Sequence, residues 1–451
     1  MEVANAFNRE KHTQNGKTLS VSIRSIASGV AVDYMSSGKE SPDLYTPSNH
    51  LWGELALEDG IDIHVEKEVL VENTAGILVN NAKYKELKND STNVDFDTIY
   101  QAVLNDQLSV GYPNPYSSST GMNFLIHALY SCDSDNVLSD QAIEQFQAFQ
   151  NKVALTSFTT QQLVKSAENG TVDCLVMEYQ QYINDGTLQT KYKFVPFGYK
   201  HNNPVYSIGK MEEEKQEGIG LFLKECDKNE ALASRNGFNK NLDYQENMPA
   251  IDGNTIKAAQ SIWKETKDSG TSVLIEFVFD ISGSMESNNR YENLKTAFLN
   301  SMDYINSENY VGVISYDGKV YKDVAMDKMN ITQKGKIKGA LTEISPAGKT
   351  AMYDAIVVAM DELHKKEAEL SDQSVKKVVV VLTDGVSNAG RNDYDSCESL
   401  ISNAGIPVYT ISYDYDTYDL QRIADINEAE YINGTSEDII LKLKNLFQAI
   451  A

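Results

Sequence analysis

The sequence predicts an α/β protein with more than one folding unit, of which the last contains a doubly wound, mostly parallel sheet. From residue 271 onward, strand-like apolar runs alternate with amphipathic helical segments. Runs such as VVVVLT are continuously apolar, as expected for strands that are covered on both faces of a parallel sheet. The chain has 451 residues, which is too many for one ordinary compact core of roughly 100–200 residues.

The composition indicates a folded, acidic protein. Hydrophobic residues make up 41% of the chain, and 65 Asp and Glu against 40 Lys and Arg give a formal net charge of −25. The sequence lacks the clustered Lys and Arg of nucleic-acid binders, which argues against nucleic acid as a partner. No apolar run approaches the ~20 residues of a membrane helix, and the cysteines are widely spaced without a CxxC pair. We therefore expect no transmembrane segment and inert thiols.

The first half of the sequence alternates strands and helices less regularly than the second. TLSVSIRSI predicts a strand before the helical SGVAVDYMSSG, PDLYTPSN precedes the helical HLWGELAL, and LSVGYPNP precedes the helical SSSTGMNFLIHALYS. EKEVLVENTAGILVNN predicts a long strand pair, and KFVPFGYKHNNPVYSIG its counterpart. This pattern fits two crossings between two lobes. The boundary between the halves is predicted in TKDSGTS, residues 266–272.

The second half predicts strands at SVLIEFVF, YVGVISYDGKVYKDV, VKKVVVVLT and IPVYTISY. Helices are predicted after Asn288, near 331–343, at 351–369, near 393–404 and in two stretches after the last strand. The Asp317–Gly318 pair lies between alternating runs and predicts a tight hairpin turn, so one edge strand should be antiparallel.

Two acidic residues follow buried strands of this predicted sheet. Asp280 ends SVLIEFVF, and Asp384 comes directly after VVVVLT. Ligands of open parallel sheets bind at the carboxyl ends of the strands, so both carboxylates should meet at one edge. Two carboxylates in a partly desolvated place repel each other unless a cation lies between them. The pattern therefore predicts a divalent metal.

Hydroxyl groups add neutral oxygen ligands to this site. Ser282 and Ser284 follow Asp280, and Thr350 is expected to join because Gly348 permits a close approach and a helix beginning at Ala351 directs the hydroxyl. Hard cations prefer oxygen, which favours Mg²⁺, with Mn²⁺ or Ca²⁺ as alternatives. Taken singly, the three hydroxyl residues are also explained as helix caps, and Asp384 as part of a common turn.

Serines and a threonine also precede or begin three predicted helices of the first half. Unpaired N–H groups and a positive dipole at a helix start suit a small anion or a polar solute. Helix capping explains the same residues equally well. The candidate solute-binding residues are Ser28, Ser48, Ser118, Ser119 and Thr120.

DISGSM, Thr350 and LTDG together resemble the metal-ion-dependent adhesion site of von Willebrand factor A domains, whose pattern is Asp-x-Ser-x-Ser, then Thr, then Asp. All five positions match, and the resemblance covers about residues 271–451. It implies a doubly wound sheet whose metal keeps one coordination position for an exposed Asp or Glu of a partner protein. The physical argument agrees, because a dication ringed by neutral hydroxyls retains positive charge for an incoming carboxylate.

Residues 1 to about 265 resemble periplasmic-type (type II) solute-binding proteins, especially bacterial proteins that fuse such a domain to a von Willebrand A domain. The resemblance lies in SGKESPDLYTPSNHLW, YPNPYSSSTGMNFL and NGFN. It implies a solute-binding-like domain at 1–268, with lobe I at about 1–72 plus 198–268 and lobe II at about 73–197, followed by a von Willebrand A domain at 269–451.

The family normally has a strand and a Ser-containing loop before the helix that VANAFNRE represents, whereas this sequence starts inside that helix. Either the sequence is a truncated product or the pocket lacks one wall. The same upstream stretch would carry an export signal. We expect an extracytoplasmic protein, at the cell surface or secreted.

These observations favour a non-enzymatic surface protein that captures a protein ligand through its metal site. One alternative is an ABC-transport receptor in which solute capture is primary and the second domain only docks it. An enzyme is a third interpretation. ISPAGKT ends like a phosphate-binding loop, but Glu343 stands at the required first glycine, and the six histidines are scattered without a catalytic arrangement.

Overall fold

A computed structural model describes residues 1–90, 93–157, 160–240, 242–267, 272–370, 375–385, 387–413, 418–427, 429–434 and 439–450. The chain divides into two compact units, Met1–Leu155 with Ala167–Thr266 and Thr156–Ser166 with Lys267–Ala451. Segment Thr156–Ser166 thus groups with the second unit, whereas the sequence placed it in lobe II of the first domain. The predicted boundary at residues 268 and 269 lies outside the described residues, and the other predicted limits stay predictions.

The part of the chain before residue 268 is rich in short helices. They are α1 (Glu2–Glu10), α2 (Ser28–Ser36), α3 (Leu51–Glu58), α4 (Asn81–Asp90), α5 (Phe96–Leu104), α6 (Ser119–Cys132), α7 (Asp140–Gln150), α8 (Thr160–Glu168), α9 (Tyr179–Asn184), α10 (Gly186–Lys191), α11 (Glu213–Lys228), α12 (Glu230–Arg235) and α13 (Gly253–Lys267). The strands are β1 (Thr13–Gln14), β2 (Lys17–Thr18), β3 (Leu44–Tyr45), β4 (Ile63–Lys67), β5 (Thr74–Asn80), β6 (Val110–Pro113), β7 (Leu155–Ser157), β8 (Cys174–Glu178), β9 (Tyr192–Lys200) and β10 (Val205–Ile208).

These strands form a small hairpin of β1 and β2 and two larger sheets, ordered β3-β10-β4 and β7-β6-β8-β5-β9. In the predicted strand pair EKEVLVENTAGILVNN, residues 74–80 form β5, but only Glu66 and Lys67 belong to β4, and residues 68–73 form no strand. Its counterpart KFVPFGYKHNNPVYSIG forms β9 and β10. Strand β5 pairs antiparallel with β9, and β4 pairs antiparallel with β10. The prediction that these two segments are counterparts is therefore confirmed, with one pair in each larger sheet.

The predicted strand TLSVSIRSI is wrong beyond Thr18, because residues 19–27 form no regular strand. The alternation of polar and apolar residues is present, but most of these side chains are exposed rather than packed on a sheet. The peptide N–H of Val21 donates to Asn8 Oδ1 at 2.7 Å, and Asn8 Nδ2 donates to the Val21 carbonyl at 2.8 Å. A side-chain amide thus takes the place of a neighbouring strand.

The second unit contains the larger sheet. Its strands are β11 (Ser272–Asp280), β12 (Tyr310–Tyr316), β13 (Val320–Lys328), β14 (Val375–Thr383), β15 (Val408–Tyr413) and β16 (Tyr431–Gly434). Its helices are α14 (Arg290–Ser301), α15 (Ile331–Glu343), α16 (Met352–Glu369), α17 (Tyr394–Ala404), α18 (Tyr418–Ile426) and α19 (Ile439–Ile450), with 3-10 turns at Gly283–Asn289 and Met302–Tyr304.

The sheet has the strand order β13-β12-β11-β14-β15-β16, and the pairs among β12, β11, β14, β15 and β16 are parallel. Only β13, at one edge, runs antiparallel to its neighbour within the described sheet. The predicted fold class and the antiparallel edge strand are therefore confirmed. Asp317 makes the hairpin turn, since its Oδ1 accepts the Lys319 N–H at 2.8 Å.

Apolar residues cover both faces of this sheet, as doubly wound folds require. Phe277 and Phe279 of β11 lie in the core under α14 and α19, whereas Leu274 and Val278 lie in the core under α16. Successive side chains of a strand point to opposite faces, so a continuous apolar run fills both cores. This arrangement leaves the strand ends free to carry polar residues.

Two further expectations concern membranes and thiols. Among the helices that the structure describes, none combines the length and the apolar character needed to cross a bilayer. The four cysteines are free, and burial raises the pKa of each thiol. A raised pKa disfavours the reactive thiolate, in agreement with the prediction of inert thiols.

Candidate functional site

Asp280 and Asp384 lie at the carboxyl ends of two neighbouring inner strands of the second unit's sheet. Strands β11 and β14 are parallel neighbours, with Phe279 opposite Leu382, so their carboxyl ends coincide. Asp280 is the last residue of β11, and Asp384 follows Thr383, the last residue of β14. The position follows from the rule that polar residues at parallel strand ends converge on one edge.

Asp280 is fully buried and is held by two hydrogen bonds. Its Oδ1 accepts the Ser282 N–H at 2.8 Å, and its Oδ2 accepts the Thr383 hydroxyl at 2.5 Å. Burial raises the pKa of Asp280 and so does the Asp384 carboxylate, although the bonds from Ser282 and Thr383 act in the opposite direction. Both influences that raise the pKa disfavour a negative charge, so a nearby cation would be stabilising.

Ser282 and Ser284 connect the two carboxylates. Their hydroxyl oxygens lie 3.1 Å apart, and the Ser284 hydroxyl donates to Asp384 Oδ1 at 2.8 Å. The other oxygen of Asp384 accepts a hydrogen bond from Arg290 Nη1 at 2.7 Å. Ser282 is buried whereas Ser284 is exposed, so the row of oxygens opens to solvent on the Ser284 side.

Thr350 is buried in a loop that contacts the Asp280 loop through its backbone. The Gly283 N–H donates to the Gly348 carbonyl at 3.2 Å, and the Ala347 N–H donates to the Ile281 carbonyl at 2.8 Å. Gly348 has a φ of +83°, a conformation that favours glycine.

Asn388 holds the peptide group of Thr350. Its Oδ1 accepts the Thr350 N–H at 3.0 Å, and its N–H donates to the Thr350 carbonyl at 2.9 Å. Within the described residues, the backbone hydrogen bonds of Ala347 and Gly348 join the loop of Thr350 to the Asp280 loop. No hydrogen bond of the Thr350 hydroxyl is found in the described part of the chain. Helix α16 begins at Met352 with Ala351 as its N-cap, so capping by Thr350 does not explain this residue.

The donor set fits a hard dication. It consists of carboxylate and hydroxyl oxygens only, which suits Mg²⁺, Mn²⁺ or Ca²⁺ better than softer metals. Among the described residues there is no group of three or more His, Cys, Asp or Glu side chains that could hold a metal, so a site rich in nitrogen or sulfur is not found there. A metal bound here would therefore depend on hydroxyls as well as on two carboxylates.

Several residues of this site were not predicted from the sequence. Thr383 and Arg290 each bind one carboxylate, and burial raises the pKa of the Tyr316 hydroxyl, which lies beside Asp280. Thr383 stands next to Asp384 in LTDG and could have been included on that ground. Arg290 gives no such signal, because its reach depends on the turn that precedes α14.

The candidate solute-binding serines of the first unit lie close together. The Ser119 hydroxyl donates to Ser28 Oγ at 3.1 Å and accepts the Trp52 indole N–H at 2.8 Å. The Ser48 N–H lies 3.4 Å from Ser28 Oγ. The cluster of Ser28, Ser48 and Ser119 is thus hydrogen-bonded within itself and to Trp52.

The remaining candidates at this place have structural roles or none that is visible. Ser118 is the N-cap of α6 and accepts the Gly121 N–H at 3.2 Å, as the capping interpretation predicted. Thr120 is buried in the first turn of α6. The N-caps of α2 and α3 are Ala27 and His50, without a side-chain cap bond, so Ser28 and Ser48 do not cap these helices.

A buried polar network adjoins the serine cluster. His201 Nδ1 lies 2.7 Å from Glu178 Oε1, and His201 Nε2 lies 3.2 Å from Asn49 Nδ2 and 3.1 Å from Asn123 Nδ2. Burial alone would raise the pKa of Glu178, but His201 and hydrogen bonds from Ser48 and Asn73 outweigh it, so the pKa is lowered. An ionised carboxylate therefore stands beside Ser48, and no sequence pattern predicted it.

Comparisons with known proteins agree with this architecture. Residues 275–449 match the family model of the von Willebrand factor type A domain, so the second unit is a domain of that class. Residues 1–223 match the family of bacterial extracellular solute-binding proteins. The chain therefore joins a solute-binding domain of the bacterial extracellular type to a C-terminal von Willebrand factor type A domain. A comparison with curated proteins found no match.

Several solved structures are similar to part of the chain. Von Willebrand factor type A from Catenulispora acidiphila is 16% identical, with 40% of this chain and 42% of that chain covered and a TM-score of 0.35. The proximal thread matrix protein 1 of the mussel byssus, with a zinc-occupied MIDAS motif, is 23% identical, with 43% and 54% covered and a TM-score of 0.32. The vWF domain of the pili tip protein Mfa5 from Porphyromonas gingivalis is 11% identical, with 40% and 95% covered and a TM-score of 0.31. The chain thus spans less than half of the first of these proteins.

Proposed function

We propose that this chain is a non-enzymatic, extracytoplasmic binding protein that captures an Asp or Glu side chain of a partner protein through a divalent metal. The observation that carries the proposal is the continuous row of Asp280, Ser282, Ser284 and Asp384 at one sheet edge. The match of the first unit to extracellular solute-binding proteins supports a location outside the cytoplasm, at the cell surface or secreted.

The chemistry of the row supports binding rather than catalysis. A hard dication at this row prefers oxygen ligands, and its neutral hydroxyl ligands do not reduce its charge, so a coordination position left open by the protein can take a further carboxylate. Both oxygens of Asp280 and of Asp384 already accept hydrogen bonds from the protein. Neither side chain is therefore free to act as a base for proton transfer. This favours a role of the row in binding a cation rather than in catalysis.

The experiment uses Mn²⁺ as a paramagnetic stand-in for Mg²⁺ and follows water-proton relaxation of the Mn²⁺-loaded full chain. A short capped peptide, Gly-Glu-Gly, should displace bound water and lower the relaxation enhancement, whereas Gly-Gln-Gly should not. Asp280→Ala should abolish Mn²⁺ binding with little change in the fold, since it removes a metal ligand but no apolar packing.

Asp303→Ala is the matched control, because Asp303 is a highly exposed carboxylate of the same unit that pairs only with Lys334 at 2.6 Å among the described residues. This variant should bind Mn²⁺ like the parent. Equal Mn²⁺ binding by the parent and Asp280→Ala would refute the metal site. An equal response to both peptides would refute carboxylate capture while leaving the metal site standing.

A second candidate function is solute reception by the first unit, favoured by the clustering of Ser28, Ser48 and Ser119. The ionised Glu178 beside Ser48 disfavours an anion and favours a polar solute that donates hydrogen bonds or carries positive charge. Calorimetric titration with candidate solutes in chelator separates the two functions. A tight signal without metal would make solute capture the primary role.

A further inference from the structure

Arg290 forms a close ion pair inside the candidate metal site. Its Nη1 lies 2.7 Å from Asp384 Oδ2, and the side chain of Asp384 is 0% exposed against 21% for Arg290. Hydrogen bonds between ionised groups are shorter and stronger than neutral ones, particularly where solvent is excluded. The guanidinium therefore already neutralises one of the two carboxylates on which the proposed metal depends.

A turn of two left-handed residues directly precedes Arg290 and determines where its side chain begins. Asn288 and Asn289 have φ values of 54° and 55°, so two successive residues adopt the left-handed conformation that asparagine tolerates better than most. Helix α14 begins directly afterwards, at Arg290. The turn lies between Ser284, which binds Asp384 Oδ1, and Arg290, which binds Asp384 Oδ2.

The helix itself gives no reason for a cation at this position. The start of a helix carries a partial positive charge, so an arginine in the first turn is unfavourable on that account alone. Arg290 Nε is also buried and has no hydrogen-bond partner among the described residues. The ion pair with Asp384 is therefore the interaction that accounts for the placement of Arg290.

We infer that Arg290 is an internal counter-cation that competes with the divalent metal for Asp384. Metal and guanidinium are both positive, so they repel each other when they share one carboxylate. Metal binding must then loosen the Arg290–Asp384 pair and turn the guanidinium toward solvent, where it can contact the carboxylate of the partner. This inference rests on the proposed metal site. It adds that Arg290, a residue of the site itself, lowers the affinity of the site for the metal.

The test compares the full chain with Arg290→Met, which keeps an unbranched apolar stem but removes the guanidinium group with its charge and its hydrogen bonds. Calorimetry measures Mg²⁺ affinity, and thermal unfolding is followed in chelator. Arg290→Met should bind Mg²⁺ about tenfold more tightly, the scale of one lost hydrogen bond to a charged group. It should also unfold at a lower temperature in chelator, because Asp384 loses its counter-charge.

Arg290→Lys is a second variant that keeps the charge and should fall between the parent and Arg290→Met in both measurements. Arg391→Met is the matched control, since Arg391 is an exposed arginine of the same unit whose backbone N–H, rather than its guanidinium, binds Asp354. It should leave Mg²⁺ affinity unchanged.

Unchanged or weaker Mg²⁺ binding by Arg290→Met, with normal binding by the parent, would overturn the competition and leave the proposed function intact. Absence of Mg²⁺ binding in the parent and in all variants would overturn the metal site itself. Binding that appears only in Arg290→Met would support both the site and the competition.

Discussion

Glu276 is a carboxylic acid at the centre of the parallel sheet, away from the candidate metal site. It lies in β11 opposite Gly312 of β12 and is 2% exposed. A Cβ atom on Gly312 would lie 2.3 Å from Glu276 Oε2, so the missing side chain makes room for the carboxyl group. Burial, assisted by the negative charge of Glu362, raises the pKa of Glu276 well above its ordinary value.

This raised pKa predicts a pH dependence of stability. Between the ordinary carboxyl pKa of ~4.3 and the higher pKa of folded Glu276, the folded state binds the proton more tightly than the unfolded state, so the free energy of unfolding falls as pH rises. Glu276→Gln cannot ionise and should flatten this slope, as measured by urea unfolding at about pH 5 and about pH 8. Glu343→Gln, at an exposed glutamate, should keep the slope of the parent. Identical slopes in Glu276→Gln and the parent would show that Glu276 does not cause the dependence.

Individual site residues could be predicted from the sequence where residue type and spacing alone indicate a role. Asp280, Ser282, Ser284 and Asp384 were predicted from residue type and spacing, and the structure places them in one hydrogen-bonded row. Arg290 could not be found in this way, because its contact depends on two left-handed residues whose conformation the sequence does not determine.

The loop between α15 and α16 determines where Thr350 lies. Gly348 within this loop has a positive φ, and a Cβ atom there would lie 3.2 Å from Asp317 Oδ2. The backbone hydrogen bonds that join Ala347 and Gly348 to the Asp280 loop depend on this conformation.

Gly348→Ala should therefore destabilise the second unit by about 1–2 kcal/mol, because left-handed backbone is unfavourable for residues with a Cβ atom. It should also weaken Mg²⁺ binding, since Thr350 moves with the loop. Gly339→Ala is the control, because Gly339 lies in α15 with open space around it. This variant should be about 0.5–1 kcal/mol more stable than the parent, since alanine favours a helix more than glycine does. Chemical unfolding and calorimetry measure the two effects. An unchanged Mg²⁺ affinity in Gly348→Ala would mean that Thr350 is not a ligand.

Elements were predictable where hydrophobic periodicity and packing agree. The buried strands β11 and β14 and helices α15 and α16 appear where the patterns place them. TLSVSIRSI failed because alternation does not show whether a neighbouring strand exists, and Asn8 supplies the hydrogen bonds instead. Strand β16 was not predicted because Tyr431–Gly434 is too short to show a pattern.

The whole molecule carries a net charge of −25, which opposes the approach of an acidic partner. Under the proposed function, local coordination by the metal has to overcome this repulsion. The affinity of the Mn²⁺-loaded chain for the Gly-Glu-Gly peptide should therefore rise, by less than about tenfold, between about 0.02 M and about 0.15 M NaCl, as added salt screens the repulsion. Water-proton relaxation measures this affinity, and the Gly-Gln-Gly peptide should show no comparable change. An affinity that falls with added salt would mean that the local positive field of the site outweighs the charge of the molecule.

The two outer strands of the second unit's sheet affect how readily copies of the protein associate through their sheet edges. The edge strand β13 carries charges of both signs, at Lys322, Asp323, Asp327 and Lys328, and β16 at the other edge is only four residues long. Long, flat, apolar edges recruit strands of other molecules, whereas charged or short edges discourage this. Copies of the protein at high local concentration can thus remain separate molecules instead of growing into amyloid-like fibres.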